Sequence, residues 1–282
     1  MRKKTIYCYL DGKIIPVSKA FVSVYDIGLL RGYAIYDGIT AFNEKIFHLA
    51  DHLTRFRNSA KALKLKIPVT DTEIRNIINT LIRKNGFDRT NIRLILTGGQ
   101  TLEGIDYDFS KPLFYILAED FVPFPDSIYT KGGKLITEEH QRFMPEAKTT
   151  HYITAVKLQT KKNKEKAVEI LFVSNGKILE CATSNIFIVK GDTLITSKQN
   201  VLGGITRKVV LKITKKYFKI EERDISTSEL AKCDEVFITS SYKDILPIVK
   251  IDKHTIGDGK VGKNTKKIMD LFGQYIKAHQ FA

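Results

Sequence analysis

The chain of 282 residues has only three cysteines, Cys8, Cys181 and Cys233. They lie far apart and form no C-x-x-C pair, which argues against a zinc site or a disulfide framework. That usage suits a reducing cytosol. No apolar run approaches about 18 residues, the shortest stretch that reads as a membrane-spanning helix. Met1-Arg2-Lys3-Lys4 is basic, but a short alternating segment follows it, not the apolar region of a signal peptide. Low-complexity tracts and internal repeats are also missing. These absences lead us to expect a soluble, cytoplasmic protein with no metal and no membrane partner.

What is present is ordinary globular composition: 43% hydrophobic residues, enough to bury the cores of two domains. The net charge of +15 is spread over scattered lysines, with one local run at Lys161-Lys162-Asn163-Lys164-Glu165-Lys166. Such a run is most simply the solvated face of a helix. No basic stretch carries the interleaved aromatics of a single-strand binder, so nucleic acid is not an expected partner.

Along the chain, Thr5 to Val17 reads as a hairpin turning at Asp11-Gly12, and Ala20 to Tyr25 as another short strand. Asp26 to Phe42 is too punctuated by glycine for a helix and ends as a strand. Phe47 to Leu65 has helical spacing, with His52 and Arg55 neighbours three residues apart. Thr70-Asp71-Thr72-Glu73 is a capping box for a second helix that ends at Gly86. Asn91 to Thr97 and Pro112 to Ala118 read as neighbouring strands. Pro123 and Pro125 mark a linker. The expected domains are 1–120 and 131–282, joined by 121–130. Beyond the linker come a strand at Gly133 to Thr137, a helix from Thr149 to Lys164, and a tight turn at Asn175-Gly176. A further hairpin turns at Gly191-Asp192. Gly203-Gly204-Ile205-Thr206-Arg207 opens a helix whose N–H groups suit a phosphate. Ser226 to Glu229 is another capping box, Glu235 to Thr239 a strand, and Lys263 to Ala278 a final amphipathic helix.

The chemistry concentrates between Lys148 and Asn185. A lysine amine forms a Schiff base with an aldehyde once burial or a neighbouring cation lowers its pKa. A buried carboxylate such as Glu180 can hold a proton on a ring nitrogen. Lys148-Thr149-Thr150-His151-Tyr152, together with Glu180 and Ser184-Asn185-Ile186-Phe187, resembles the cofactor-binding core of the class IV (fold type IV) pyridoxal-phosphate-dependent aminotransferases. The resemblance runs from Tyr9-Leu10-Asp11-Gly12 to Asp258-Gly259-Lys260-Val261-Gly262. It implies an α+β fold of two domains: a small α/β domain and a larger domain with a β-barrel-like core. It also implies pyridoxal 5'-phosphate as cofactor, amino acid and 2-oxo acid as substrates, and a homodimer with its active site at the subunit interface.

Carried over residue by residue, the resemblance implies Lys148 as the catalytic Schiff-base lysine and Glu180 as the partner of the pyridinium nitrogen. Arg55, Ile205, Thr206, Ser240 and Ser241 would hold the phosphate, and Tyr152 the phenolic oxygen. His151 stands where an asparagine is usual. For substrate, the candidates are Arg31, Tyr36, Arg93, Tyr242 and Lys243. The usual D-amino-acid transaminases carry a T-R-G arginine where this chain has Thr97-Gly98-Gly99. Branched-chain enzymes carry an F-E-G-I-R run where it has Tyr36-Asp37-Gly38-Ile39-Thr40. Gly38 and Arg93 fit the branched-chain class; Arg31 and Thr40 do not. Leu30-Arg31-Gly32-Tyr33, Leu96-Thr97-Gly98-Gly99 and Lys243 resemble a variant group of D-amino-acid transaminases. In that group an arginine like Arg31 reaches in from the other subunit to the substrate carboxylate, assisted by a lysine like Lys243. The expected activity is D-amino-acid transamination, with branched-chain L-amino-acid transamination the runner-up and aminodeoxychorismate lyase third.

Overall fold

The computed structural model describes residues 4–281. The chain divides into two units, Met1–Val122 with Ala147–His151, and Pro123–Glu146 with Tyr152–Ala282. Residues 147–151, expected in the second domain with the rest of 131–282, belong to the first. Backbone pairing decides this: Tyr36 N–H donates to the carbonyl of Lys148 (3.0 Å), and Thr150 N–H to that of Ala34 (3.0 Å).

The first unit contains β1 (Tyr7–Leu10), β2 (Lys13–Pro16), α1 (Ile27–Arg31), β3 (Ala34–Phe42), β4 (Lys45–Ile46), α2 (Leu49–Ala62), α3 (Asp71–Asn85), β5 (Arg89–Thr97) and β6 (Leu113–Asp120). Its antiparallel sheet has the order β2-β1-β6-β5-β3-β4. Period-2 alternation puts Ile35, Asp37, Ile39, Ile92, Leu94, Leu96, Phe114 and Ile116 on a fully buried face. Helix α2 covers β3 there, and the rings of Phe56 and Phe114 lie 6.1 Å apart. The opposite face carries Tyr36, Gly38, Arg93, Tyr115 and Leu117, which keep more solvent contact. The Thr70–Glu73 capping box forms, and α3 stops at Gly86 in the left-handed conformation.

Two expectations are corrected here. Asp26 to Phe42 does begin with a helix, α1: the buried Asp26 carboxylate accepts from the N–H groups of Gly28 and Leu29, and left-handed Gly32 ends the helix. One side-chain cap and one terminal glycine suffice for a single turn. Ala20 to Tyr25 forms no strand; it ends in a turn, and Phe21, Val24 and Tyr25 are exposed.

The second unit contains α4 (Asp126–Lys131), β7 (Gly133–Glu139), α5 (Ile153–Lys157), α6 (Gln159–Lys164), β8 (Glu169–Ser174), β9 (Lys177–Cys181), β10 (Asn185–Lys190), β11 (Thr193–Thr196), α7 (Ile205–Thr214), β12 (Lys219–Glu222), β13 (Ile225–Ser226), β14 (Glu235–Ser240), β15 (Asp244–Ile251), β16 (His254–Thr255) and α8 (Lys263–Phe281). Its mixed sheet follows the order β12-β11-β10-β14-β15-β7-β8-β9-β13, with β16 paired to β15. The parallel pair β11/β12 needs a crossover, which α7 supplies. One continuous core joins Leu135, Leu171, Ile178, Ile186, Ile188, Val236, Ile238, Leu246 and Ile248. The expected helix from Thr149 is shorter than its apolar spacing suggested. Thr149 bridges to Ile35 as extended chain, so α5 starts only at Ile153. Among the described residues, no helix is long and apolar enough to cross a membrane.

Candidate active site

In the first unit the candidate groups gather on β3, α2 and the 147–151 segment. Lys148 is half-buried, its Nζ 4.5 Å from the centroid of the Tyr36 ring. Its backbone N–H donates to Ser59 Oγ (3.0 Å), and Ser59 Oγ donates to the carbonyl of Arg55 (3.0 Å). The lysine is thereby tied to the helix that carries Arg55. Arg55 donates through Nε (2.9 Å) and Nη2 (2.8 Å) to the two oxygens of Asp37, which is fully buried. His52 Nδ1 lies 2.7 Å from the same carboxylate.

The pKa directions follow from this packing. Burial pushes Asp37 up, but Arg55 and His52 outweigh it, and the carboxyl ends far below its ordinary range. Burial pushes His52 down, further than Asp37 raises it, so the imidazole is neutral. A neutral ring donating from Nδ1 to Asp37 leaves at Nε2, which is buried without a partner, only a bare lone pair. The other tautomer would strand an N–H. Neither Asp37 nor His52 was singled out as functional from the sequence; the three-residue His52–Arg55 spacing was the available signal.

Arg93 and Tyr36 share a sheet face, with Gly38 opposite Arg93 in register. Arg93 is exposed and pairs with Glu119. Arg31 ends α1 as an exposed side chain whose Nη1 donates to the carbonyl of Leu30 (3.0 Å). Packing explains why Gly98 carries no side chain. A Cβ there would lie 2.7 Å from Ile27 Cγ2 and 3.2 Å from the Tyr107 ring, and one on Gly99 would lie 2.1 Å from the carbonyl oxygen of Lys111. The place of the T-R-G arginine is filled by the chain itself.

In the second unit the groups form a connected set. Buried Glu180 accepts from Arg142 Nε at Oε1 (2.7 Å) and from the backbone N–H of Leu202 at Oε2 (2.9 Å). Arg142 had no spacing signal in the sequence. Asn185 Nδ2 donates to the carbonyl of Leu202 (2.8 Å), so the loop before α7 is held from both sides. A Cβ on Gly204 would come within 2.0 Å of Asn185 Oδ1, so only glycine lets this loop approach so closely. Ile205 and Thr206 are buried in the first turn of ten-residue α7, which has no side-chain cap. Uncapped N–H groups at a helix start, two glycines before them and the unpartnered buried Thr239 Oγ1 suit an anion such as a phosphate. Thr239 pairs with Asn185 and leads into Ser240 and Ser241, both half-buried. The Tyr242 ring meets Phe124 edge-on at 6.1 Å, and Tyr152 packs on the cluster of Ile136, Leu158 and Phe172. Lys243 is buried and donates to Glu169 Oε2 (2.9 Å) and Thr183 Oγ1 (2.7 Å). The expectation that its ammonium assists a substrate carboxylate meets a competing partner already in place.

Residues 34–251 match the family model of amino-transferase class IV. The chain belongs to that family. It is 33% identical over 274 residues to a Methanocaldococcus jannaschii protein carrying a provisional branched-chain-amino-acid aminotransferase name, covering 94% of each chain. It is 28% identical over 283 residues to the D-alanine aminotransferase of a Listeria monocytogenes serotype 4b strain, covering 95% of each. A branched-chain amino acid aminotransferase from T.th., solved with pyridoxamine 5'-phosphate, superposes with a TM-score of 0.91 at 25% identity. That match covers 98% of this chain and 95% of that one. This aminotransferase therefore has the mixed α+β architecture of fold type IV enzymes.

Proposed function

We propose that this aminotransferase binds pyridoxal 5'-phosphate and moves an amino group between a D-amino acid and a 2-oxo acid. The bound cofactor supplies an aldehyde and an electron-withdrawing ring. Lys148 would hold the aldehyde and would carry the proton to and from the substrate α-carbon. Glu180, paired with Arg142, would hold the proton on the ring nitrogen. Arg55, oriented along one edge by Asp37, would hold the phosphate, as would the Ile205–Thr206 turn, Ser240 and Ser241. Tyr152 would hold the phenolic oxygen.

The D-substrate reading is carried by Arg31 together with the filled Gly98 position. The chain has no room for the T-R-G carboxylate trap, and it offers an exposed guanidinium instead, set among exposed Phe21, Val24 and Leu29. Leu102, Ile105 and Phe109 are exposed as well, on the segment that the hydrogen bond from Thr101 N–H to the carbonyl of Tyr25 (2.9 Å) joins to this one. Exposed apolar side chains on two joined segments suit an interface. The occupant we assign is a second copy, into whose site Arg31 reaches. The cysteines, all free and buried, suit a cytoplasmic enzyme.

The second reading, branched-chain L-amino-acid transamination, is favoured by the Methanocaldococcus relative and by Gly38 facing Arg93. Single-turnover spectra with D-alanine, D-glutamate, L-leucine and aminodeoxychorismate separate the readings. Bleaching of the cofactor band by D-alanine or D-glutamate is expected. Bleaching by L-leucine alone replaces the D-specific reading with the branched-chain one.

A further inference from the structure

The turn after β14 ends in Lys243, 6% exposed, and its ion-pair partner Glu169 at the start of β8 is 4% exposed. The Glu169 carboxylate accepts from Thr183 N–H (2.7 Å), Thr183 Oγ1 (2.7 Å), Ser184 Oγ (2.8 Å) and Lys243 Nζ (2.9 Å). One side chain thus ties together strand β8, the corner that follows Glu180, and the 240–243 turn. Tyr129 Oη also donates to the Lys243 carbonyl (3.2 Å), and Lys243 N–H to Ser240 Oγ (3.1 Å). Two of the three ammonium donors are spent within the protein, on the buried Glu169 carboxylate and on the Thr183 hydroxyl. A lysine neutralised by an adjacent carboxylate also projects little field toward a substrate anion. A buried pair of this kind is rarely retained for stability alone, since apolar residues of similar volume do as well.

We propose that Lys243 and Glu169 are a positioning pair: without touching substrate, they fix the Ser240–Tyr242 turn relative to the strand that carries Glu180. The inference rests on the aminotransferase reading above, in which that turn meets the phosphate. It separates the job of Lys243 from that of Arg31.

The test is a double-variant cycle of Lys243→Met, Glu169→Gln and both together. Each protein is assayed for pyridoxal phosphate affinity, amino-acid KM, melting temperature, and amide exchange of residues 240–244 in the cofactor-free state. A positioning pair predicts that both single variants raise cofactor Kd and KM by similar factors of roughly 10 to 100. The double variant is expected to be no worse than either single. Holding no unpaired buried charge, it regains melting temperature while its turn still exchanges faster. If the single variants do not fold, the double variant decides alone. Recovery of Kd, KM and exchange in the double variant would show a purely structural pair and overturn the proposal. A KM increase confined to Lys243→Met, with Glu169→Gln unchanged, would assign Lys243 to the substrate and overturn it too. A parent protein with no near-visible cofactor band sinks the cofactor reading instead, while the exchange measurement still judges the pair.

Discussion

Two cations in this enzyme, half-buried Arg55 and buried Lys243, are each held by a buried carboxylate, yet to different ends. Arg55 on α2 meets Asp37 with the Nε and Nη2 edge of its fork. Lys243 after β14 meets Glu169 with a point charge whose neighbouring donor goes to Thr183. A guanidinium has five donors in one rigid plane, so a carboxylate on one edge orients it without exhausting it. An ammonium has three, and two internal partners nearly use it up. Under the proposed function, the same residue class therefore makes a ligand grip in one unit and a brace in the other. The geometry of the donor group decides which.

The comparison can be broken most severely at the lysine that neither brace nor grip can replace. Lys148→Ala is expected to lower turnover by at least about 10³-fold, the scale of a positioned proton-transfer group, measured in single-turnover half-reactions. Next comes the grip itself. Asp37→Asn leaves Arg55 without its counter-charge and is expected to cost about 3–5 kcal/mol of stability by denaturant unfolding, along with weaker cofactor binding. Arg31→Ala sharpens the contrast from the exposed side. It should weaken substrate capture by about 2–5 kcal/mol in kcat/KM while leaving the cofactor spectrum in place. Cofactor loss with unchanged capture would refute that role.

A pH titration separates the partners of Arg55. The pKa of His52 is lower in the native protein than in the unfolded chain, so below about 6.5 the unfolded chain binds more protons. Stability therefore falls as pH drops through that value. Asp37, also depressed, keeps its contribution until pH drops below about 4. His52→Gln should flatten the first window and leave the second. The smallest effect is expected at Arg93→Ala. Its pair with Glu119 is exposed and worth under about 1 kcal/mol, so a large loss of activity there would mark Arg93 as a substrate residue.

Much of the fold was legible because it is written in local rules. The Thr70–Glu73 box, the Asn175-Gly176 turn and the alternation of β5 each depend on a few adjacent residues. One misreading missed a local helix cap, and another came where long-range pairing overrode local preference. Asp26 nucleated a turn of helix amid glycines, helped by Thr97, 71 residues away, whose hydroxyl donates to it (2.6 Å). The Thr149 segment was drawn from helix into pairing with β3. Of the site, the motif-bearing residues could be named from sequence. Their partners Asp37, Arg142 and Glu169 could not, because a carboxylate or guanidinium shows no spacing relation to a group it meets only after folding.

The sequence alone determined the inventory: a lysine, a glutamate, a paired-glycine loop opening a helix, and too few cysteines for a disulfide framework. Tertiary structure alone decided which charges are spent. Burial strips the water from Asp37, Glu169 and Glu180, and each must then find its counter-charge at least 18 residues away in the chain. That choice, made by packing, is what divides gripping cations from bracing ones.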